Sequence, residues 1–405
     1  MESLKYPFDS QLILRTKKKI RRELLASDIS RIKKKIAVLG GSTTAGITEI
    51  LELFLLDQGI EPVFYESEYN SYWQDVMFDD PELLDFHPDI IYIHTTSRNI
   101  VNFPEISDDS ETVTRKLDET FGPLCQMWEK IEKVYHCPVI QNNFERPWYR
   151  LMGNRDIWDI HGRSNFVTGL NALVYKYAQT HSGFYINDID FLSSCYGLQK
   201  WNDPYYWHMY KCAPAVPAIP ELAFNIANII KSIFGKNKKA FVLDLDNTLW
   251  GGVIGDDGAD HIEIGQETPV GQLYSEFQTY LKAHKAFGTL LTIDSKNEED
   301  TAIAGLNRPD SILKPDDFSA VLEEMEKYGY EFLSAEVEQV PSTYVSITDE
   351  DTQLKMQKLL KPQKLQKLLS LEKQLKKKRR QIIPRQQRLQ LSPVPLLLPL
   401  PTMLR

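Results

Sequence analysis

Short apolar runs alternate with longer amphipathic stretches along most of the chain. KKIAVLGGST (34–43) reads as a strand entering a Gly turn, ITEILELFLLDQG (47–59) as a helix with a Gly stop, and EPVFYES (61–67) as a strand. PDIIYIHT (88–95), CPVIQNNF (137–144) and GFYINDIDF (183–191) read as further strands. Between and after them, 118–136, 163–181 and 219–235 carry helical periodicity. Strands alternating with helices in this way predict a parallel, doubly wound sheet. The alternation resumes after the short basic hinge GKNKK (235–239). AFVLDLDNT (240–248) predicts a strand, WGGVIGDDGADHIEIG (250–265) a Gly/Asp-rich hairpin, 270–288 a helix, TLLTIDS (289–295) a strand and 298–307 a helix.

The expected organisation has five parts. Residues 1–34 form a basic helical segment, 35–235 a first α/β domain and 236–320 a second, truncated one. Residues 321–360 lose the βα alternation and read as an α+β fragment. Residues 361–405 are a low-complexity basic tail, expected to be disordered. The fold class is α/β, with two doubly wound parallel sheets.

Charge adds one feature. The 405-residue chain carries a net charge of −9, yet 355–405 hold 14 Lys and Arg against one Glu. The body is therefore acidic and the tail basic. A run such as KKKRRQ is more often a solvated end than a nucleic-acid or membrane contact. The four cysteines (Cys125, Cys137, Cys195 and Cys212) form no CxxC pair and read as reduced thiols. No apolar run approaches the ~20 residues of a membrane span, and the polar start MESLKYPFDS shows no signal peptide. The expected location is cytoplasmic.

The chemistry centres on Asp244 and Asp246, one residue apart at the end of an apolar strand. In a regular strand both would share a face. At the carboxyl end of a parallel strand the turn aims such groups into the ligand crevice. Two adjacent carboxylates repel unless a hard cation joins them, and Mg²⁺ takes carboxylates together with phosphate oxygens. One carboxylate can attack phosphorus and the other can manage the proton. Asn247 and Thr248 are candidate phosphate donors in the turn. The next strand ends in Asp294-Ser295-Lys296-Asn297, where a hydroxyl, a cation and backbone N–H groups form a candidate phosphate clamp. An ordinary Asp/Asn-rich βα turn and a helix cap are the bland alternatives.

The motifs VLDLDNTLWGGVIGDDG and LLTIDSKNEEDTA resemble the haloacid dehalogenase (HAD) superfamily, within it the FkbH-like, HAD-IIIC group. That resemblance implies Asp244 as phosphoryl-accepting nucleophile and Asp246 as general acid/base. It also implies Ser295 as the second-motif hydroxyl, and Mg²⁺ held by Asp244, the Asp246 carbonyl and a later acid. The GGST start makes the first domain similar to the SGNH-hydrolase-like domain that often precedes this module. The group's associated activity is transfer of a glyceryl unit to an acyl carrier protein. The expected substrate is accordingly a small phosphorylated metabolite, with an acyl carrier protein as a candidate partner.

Two elements of that pattern are missing: a helical Lys, and an acidic pair after the next apolar strand. Asp316-Asp317 lies before a helix instead, and Asp349-Glu350-Asp351 is the one late candidate. Residues ~315–360 resemble part of a YebC/PmpR-type regulator. The expectation is an impaired phosphatase. The alternative is a catalytically inactive binding protein or a hybrid chain.

A second candidate site lies in the first domain. Ser42 in GGST stands where SGNH hydrolases carry their nucleophile, with Gly41 in place of the Asp. Asn99 is a candidate oxyanion donor, and Asp203 and His208 are the candidate acid and base, spaced five apart. The alternative is a Gly-rich turn, a structural His and a pocket without covalent chemistry.

Overall fold

Ile36-Ala37-Val38-Leu39 are all fully buried, as a parallel strand covered by helices on both faces requires. The computed structural model describes residues 1–318 and the backbone of residues 320 and 321. It divides near Asn237 into two compact units. The expected fragment at 321–360 and tail at 361–405, with Asp349 to Asp351, fall outside the described residues apart from the backbone of 321.

The first unit carries β1 (Ile32–Gly40), β2 (Ile60–Glu66), β3 (Ile90–His94), β4 (Val139–Asn142) and β5 (Phe184–Asn187). They form one sheet in the order β2-β1-β3-β4-β5, all pairs parallel. The strand order reverses between β1 and β3, so this sheet has its topological switch point there. Each face has its own core. Helices Ser10–Leu25, Ala45–Asp57 and Ile219–Ile233 pack with Ile36, Val38 and Tyr92 on one side. Helices Ser110–Tyr135 and Arg163–Thr180 bring Met127, Trp128 and Val167 onto Ala37, Leu39 and Ile91 on the other.

Several predicted boundaries move, each for a local reason. Asp9 accepts hydrogen bonds from the Gln11 and Leu12 amides and starts the first long helix, which ends at Leu25. β1 then begins at Ile32, inside the stretch read as helical. GFYINDIDF is a strand only to Asn187. Asp188 accepts from the Phe191 amide and opens the helix Ile189–Tyr196. Asp109 likewise caps a helix that starts at Ser110, earlier than predicted. All four cysteines are free.

The second unit holds β6 (Ala240–Leu243), β7 (Leu290–Ile293) and β8 (Ala320–Val321), parallel and in that order. Leu243, Leu245, Leu249, Trp250 and Leu291 form its core with Phe277 and Leu281 of the helix Pro269–Ala286. Gln278 on that helix is fully buried. It donates to the Leu249 carbonyl and accepts from the Ser311 hydroxyl and the Ile312 and Leu313 amides.

Candidate active site

β6 ends at Leu243, so neither acid of the pair lies within the strand. The shared face predicted for a regular strand is therefore not what the structure contains. Asp244 is exposed, while Asp246 is buried. The chain turns because Asn247 adopts a left-handed conformation (φ 55°), where the Thr248 and Leu249 amides donate back to the Leu245 carbonyl. The Asn247 Oδ1 accepts from the Gly252 amide at 3.0 Å and so holds the loop closed. The Thr248 side chain is half-buried beside it.

The predicted Gly-rich hairpin is partly present. Gly251 and Glu263 exchange both backbone hydrogen bonds as an isolated antiparallel bridge, with a short helix Ile254–Asp257 between them. That loop serves Asp246. Oδ1 of Asp246 accepts from Trp250 Nε1 at 3.2 Å and from the Ile254 amide at 3.0 Å, and Oδ2 accepts from Asn297 Nδ2 at 2.9 Å. Three donors fix one carboxylate in one orientation. Trp250 is held in turn by a close approach of the helix Glu299–Leu306. A Cβ on Gly305 would lie 2.9 Å from the indole.

Asp244 is placed differently. Among the described residues its Oδ1 accepts only from the Leu245 amide, at 2.8 Å. Desolvation raises its pKa above the usual carboxylate range, and the neighbouring charges of Asp246 and Asp294 push the same way, while the Leu245 amide and Lys296 oppose them. Lys296 is therefore within electrostatic reach of Asp244, as a phosphate clamp requires. Ser295 Oγ accepts from the Asn297 amide at 3.2 Å, so it organises the loop and does not cap the following helix, whose first residue is preceded by Glu298. The structure thus brings Asp244, Asp246, Lys296 and Asn297 together at the carboxyl ends of β6 and β7. Trp250 and the Ile254 amide complete the arrangement and carried no sequence signal of a site role.

For a divalent cation, Asp244 offers an exposed carboxylate beside a second buried one. Among the described residues no cluster of three His, Cys, Asp or Glu side chains is placed to hold a metal. Asp317 does not supply the missing acid. It caps the Lys314 amide and pairs with Lys282 and Lys285 at 3.2 and 3.0 Å. The described residues therefore bring Asp244 and Asp246 together without a third side chain placed to hold a metal with them.

In the second candidate set Asn99 lies against the Ser42 loop, and no hydrogen bond among the described residues joins Asp203 or His208 to Ser42. Asp203 accepts from the Tyr205 and Tyr206 amides and caps the helix Pro204–Tyr210. His208 is exposed on that helix. Ser42 is buried, and its Oγ has no hydrogen-bond partner, so no base is poised against it. Asn99 donates to the Gly41 carbonyl at 2.8 Å and accepts from the Thr96 amide. A Cβ at Gly41 would lie 2.5 Å from the Asn99 amide.

Comparison with known proteins adds four findings. The N-terminal part of the protein BF1531 from Bacteroides fragilis, containing a phosphatase domain and complexed with Mg, is similar in structure. Its TM-score is 0.67 at 25% identity, covering 75% of this chain and 80% of that one. A probable transcriptional regulatory protein of Caldicellulosiruptor bescii is 47% identical over 49 residues, 12% of this chain and 20% of that protein. One from Acetivibrio thermocellus is 58% identical over 38 residues, 9% of this chain and 16% of that protein. The chain thus spans a fifth or less of the length of these curated relatives. No helix among the described residues is long and apolar enough to cross a membrane. Within the first unit, residues 35–231 match the model of the FkbH N-terminal domain.

Proposed function

We propose that the second unit is a HAD-like phosphatase or phosphotransferase acting on a small phosphorylated metabolite. The carrying observation is the division of labour between the two acids. Asp244 presents an exposed carboxylate, and Asp246 is immobilised beside it by Trp250, Ile254 and Asn297. In this reading an Asp244 oxygen attacks phosphorus and the P–O bond to the leaving group breaks. Asp246 transfers the proton to that oxygen and later takes one from water. Lys296 faces the negative charge of the phosphoryl group. The likeness to the phosphatase-containing BF1531 structure and the match to the FkbH N-terminal domain support the assignment. Asp244 and Asp246 would hold Mg²⁺, which supplies charge neutralisation for phosphate oxygens when bound. An acyl carrier protein is the proposed partner that receives a product.

The test is magnesium-dependent hydrolysis of p-nitrophenyl phosphate. The expected result is turnover that disappears in Asp244→Asn, with acyl-phosphate trapped on Asp244 in the wild type. A specific observation favours the second reading, a phosphate-binding protein without turnover: among the described residues no third side chain is placed to hold a metal with Asp244 and Asp246. Phosphate binding that persists without any acyl-phosphate would select it.

A further inference from the structure

The switch point of the first unit, between β1 and β3, gathers polar groups that the reading above does not use. Among the described residues, three side-chain atoms there are buried without a partner: Ser42 Oγ just after β1, His94 Nε2 at the end of β3, and Arg98 Nε four residues later. Ser42 and His94 are 2% and 1% exposed. Gly41 donates its amide to the His94 carbonyl, and Asn99 binds the Gly41 carbonyl, so the two strand ends are tied together.

The hydrogen-bond pattern gives these atoms a common character. His94 Nδ1 lies 2.7 Å from the Tyr92 hydroxyl and 3.0 Å from Asn142 Nδ2, and in the tautomer that takes the Asn142 N–H it is an acceptor. Burial lowers the His94 pKa to about 4, and the neutral ring then carries its proton on Nε2. That N–H has no acceptor. Neither does the Arg98 Nε–H, and the Ser42 hydroxyl can donate as well. Leaving buried donors unpaired is costly, and three at one strand crevice call for an acceptor-rich ligand.

The charge agrees. The Arg98 guanidinium stacks 4.4 Å from the Trp207 ring, and Lys211 Nζ lies 5.5 Å from the same ring. Lys211 and Tyr210 also bind Thr43 through their carbonyls, which ties the end of the Trp207 helix to the Ser42 loop. Arg98 forms no ion pair at hydrogen-bonding distance among the described residues, and the carboxylate that acts on it electrostatically is Glu145. Glu145 is nearby, but its carboxylate is taken by the Ser97 amide and hydroxyl at 3.0 and 3.1 Å. Around these groups stand exposed aromatics, Trp148 and Tyr149 on one loop and Tyr206 and Tyr210 on the Trp207 helix. They suit an apolar arm attached to the charged head.

We propose that the first unit binds an oxyanion headgroup, carboxylate or phosphate, at the switch point, with Ser42, His94 and Arg98 as donors and Lys211 as the second cation. It is a binding site: no base touches Ser42.

The test is calorimetric titration of the full chain with hexanoate, hexanamide and inorganic phosphate. Phosphate titrations are repeated in Lys296→Gln, which removes the cation that faces phosphate in the second unit. At least one anion is expected to bind, and the neutral amide is not. Arg98→Gln is expected to weaken that anion at least tenfold and Lys211→Gln severalfold. Ser42→Ala, which removes only an unpaired hydroxyl, should keep the melting temperature and still weaken binding severalfold. The anion that binds more tightly identifies the headgroup. Three results overturn the proposal: hexanamide binding as well as hexanoate, neither anion binding the folded chain, or Arg98→Gln and Ser42→Ala both staying within twofold of wild type.

Discussion

Asn297 Nδ2 donates to Asp246 Oδ2 at 2.9 Å, and this bond joins the loop after β6 to the loop after β7. Among the described residues it is the one side-chain hydrogen bond between the two strand-end motifs, and it fixes the acid that the proposed chemistry uses for the proton. Asn297→Ala leaves a buried carboxylate oxygen unpaired. The expected cost is about 1–3 kcal/mol in urea denaturation, with a loss in kcat of tenfold or more and a smaller change in KM. A variant that kept full kcat would separate Asp246 from the proton step.

Gln278 holds the second unit together with four hydrogen bonds from one buried amide. Gln278→Leu conserves most of the volume and strands the Leu249 carbonyl and the Ile312 and Leu313 amides. The expected destabilisation is ~3 kcal/mol or more, since each unpaired buried group costs on the order of 1–3 kcal/mol. A guanidinium or urea midpoint within 0.5 kcal/mol of wild type would show that water replaces the amide.

Two buried groups give the first unit an asymmetric pH response. Burial pushes Glu145 up to about 7, against the opposing bonds from Ser97. Between an unfolded value of 4.5 and a folded value of about 7 the native state holds a proton that the unfolded chain has released, so this group's contribution falls as pH rises through that window. Burial lowers His94 from 6.5 to about 4, so its contribution is present above 6.5 and falls as pH drops toward 4. Glu145→Gln should therefore gain relative to wild type from pH 5 to pH 8, by up to roughly 3 kcal/mol. His94→Asn should flatten the acid limb. Parallel stability curves for wild type and Glu145→Gln would contradict this.

Asp203 accepts from two amides at the start of the helix Pro204–Tyr210. As a cap, Asp203→Ala should cost about 1 kcal/mol and leave hydrolysis of p-nitrophenyl acetate at its background rate. His208→Ala should change neither. A specific loss of esterase rate in both variants would restore the catalytic pairing.

Much of the fold is legible in the residues because burial leaves a period. Apolar runs such as Ile36–Leu39 and Ile90–Ile93, buried on both faces, can be little else than parallel strands between helices. What blurred the boundaries was side-chain capping. Asp9, Asp109 and Asp188 each turn a stretch of ambiguous pattern into a helix start by accepting backbone amides. Gly305 illustrates a different limit. Its need arises from Trp250, 55 positions away in sequence, and no local pattern announces it.

The sequence by itself determined two α/β units and the placing of Asp244 and Asp246 at a strand end, because hydrophobic periodicity and strand–turn chemistry are local. Only the tertiary structure decided what each polar group is for. It made Asp246 fixed and Asp244 open, turned Asp203 into a cap, and left Ser42, His94 and Arg98 as unpaired donors at one crevice. The physical reason is that a side chain's role depends on which partners and how much water surround it, and those come from segments far apart in the chain.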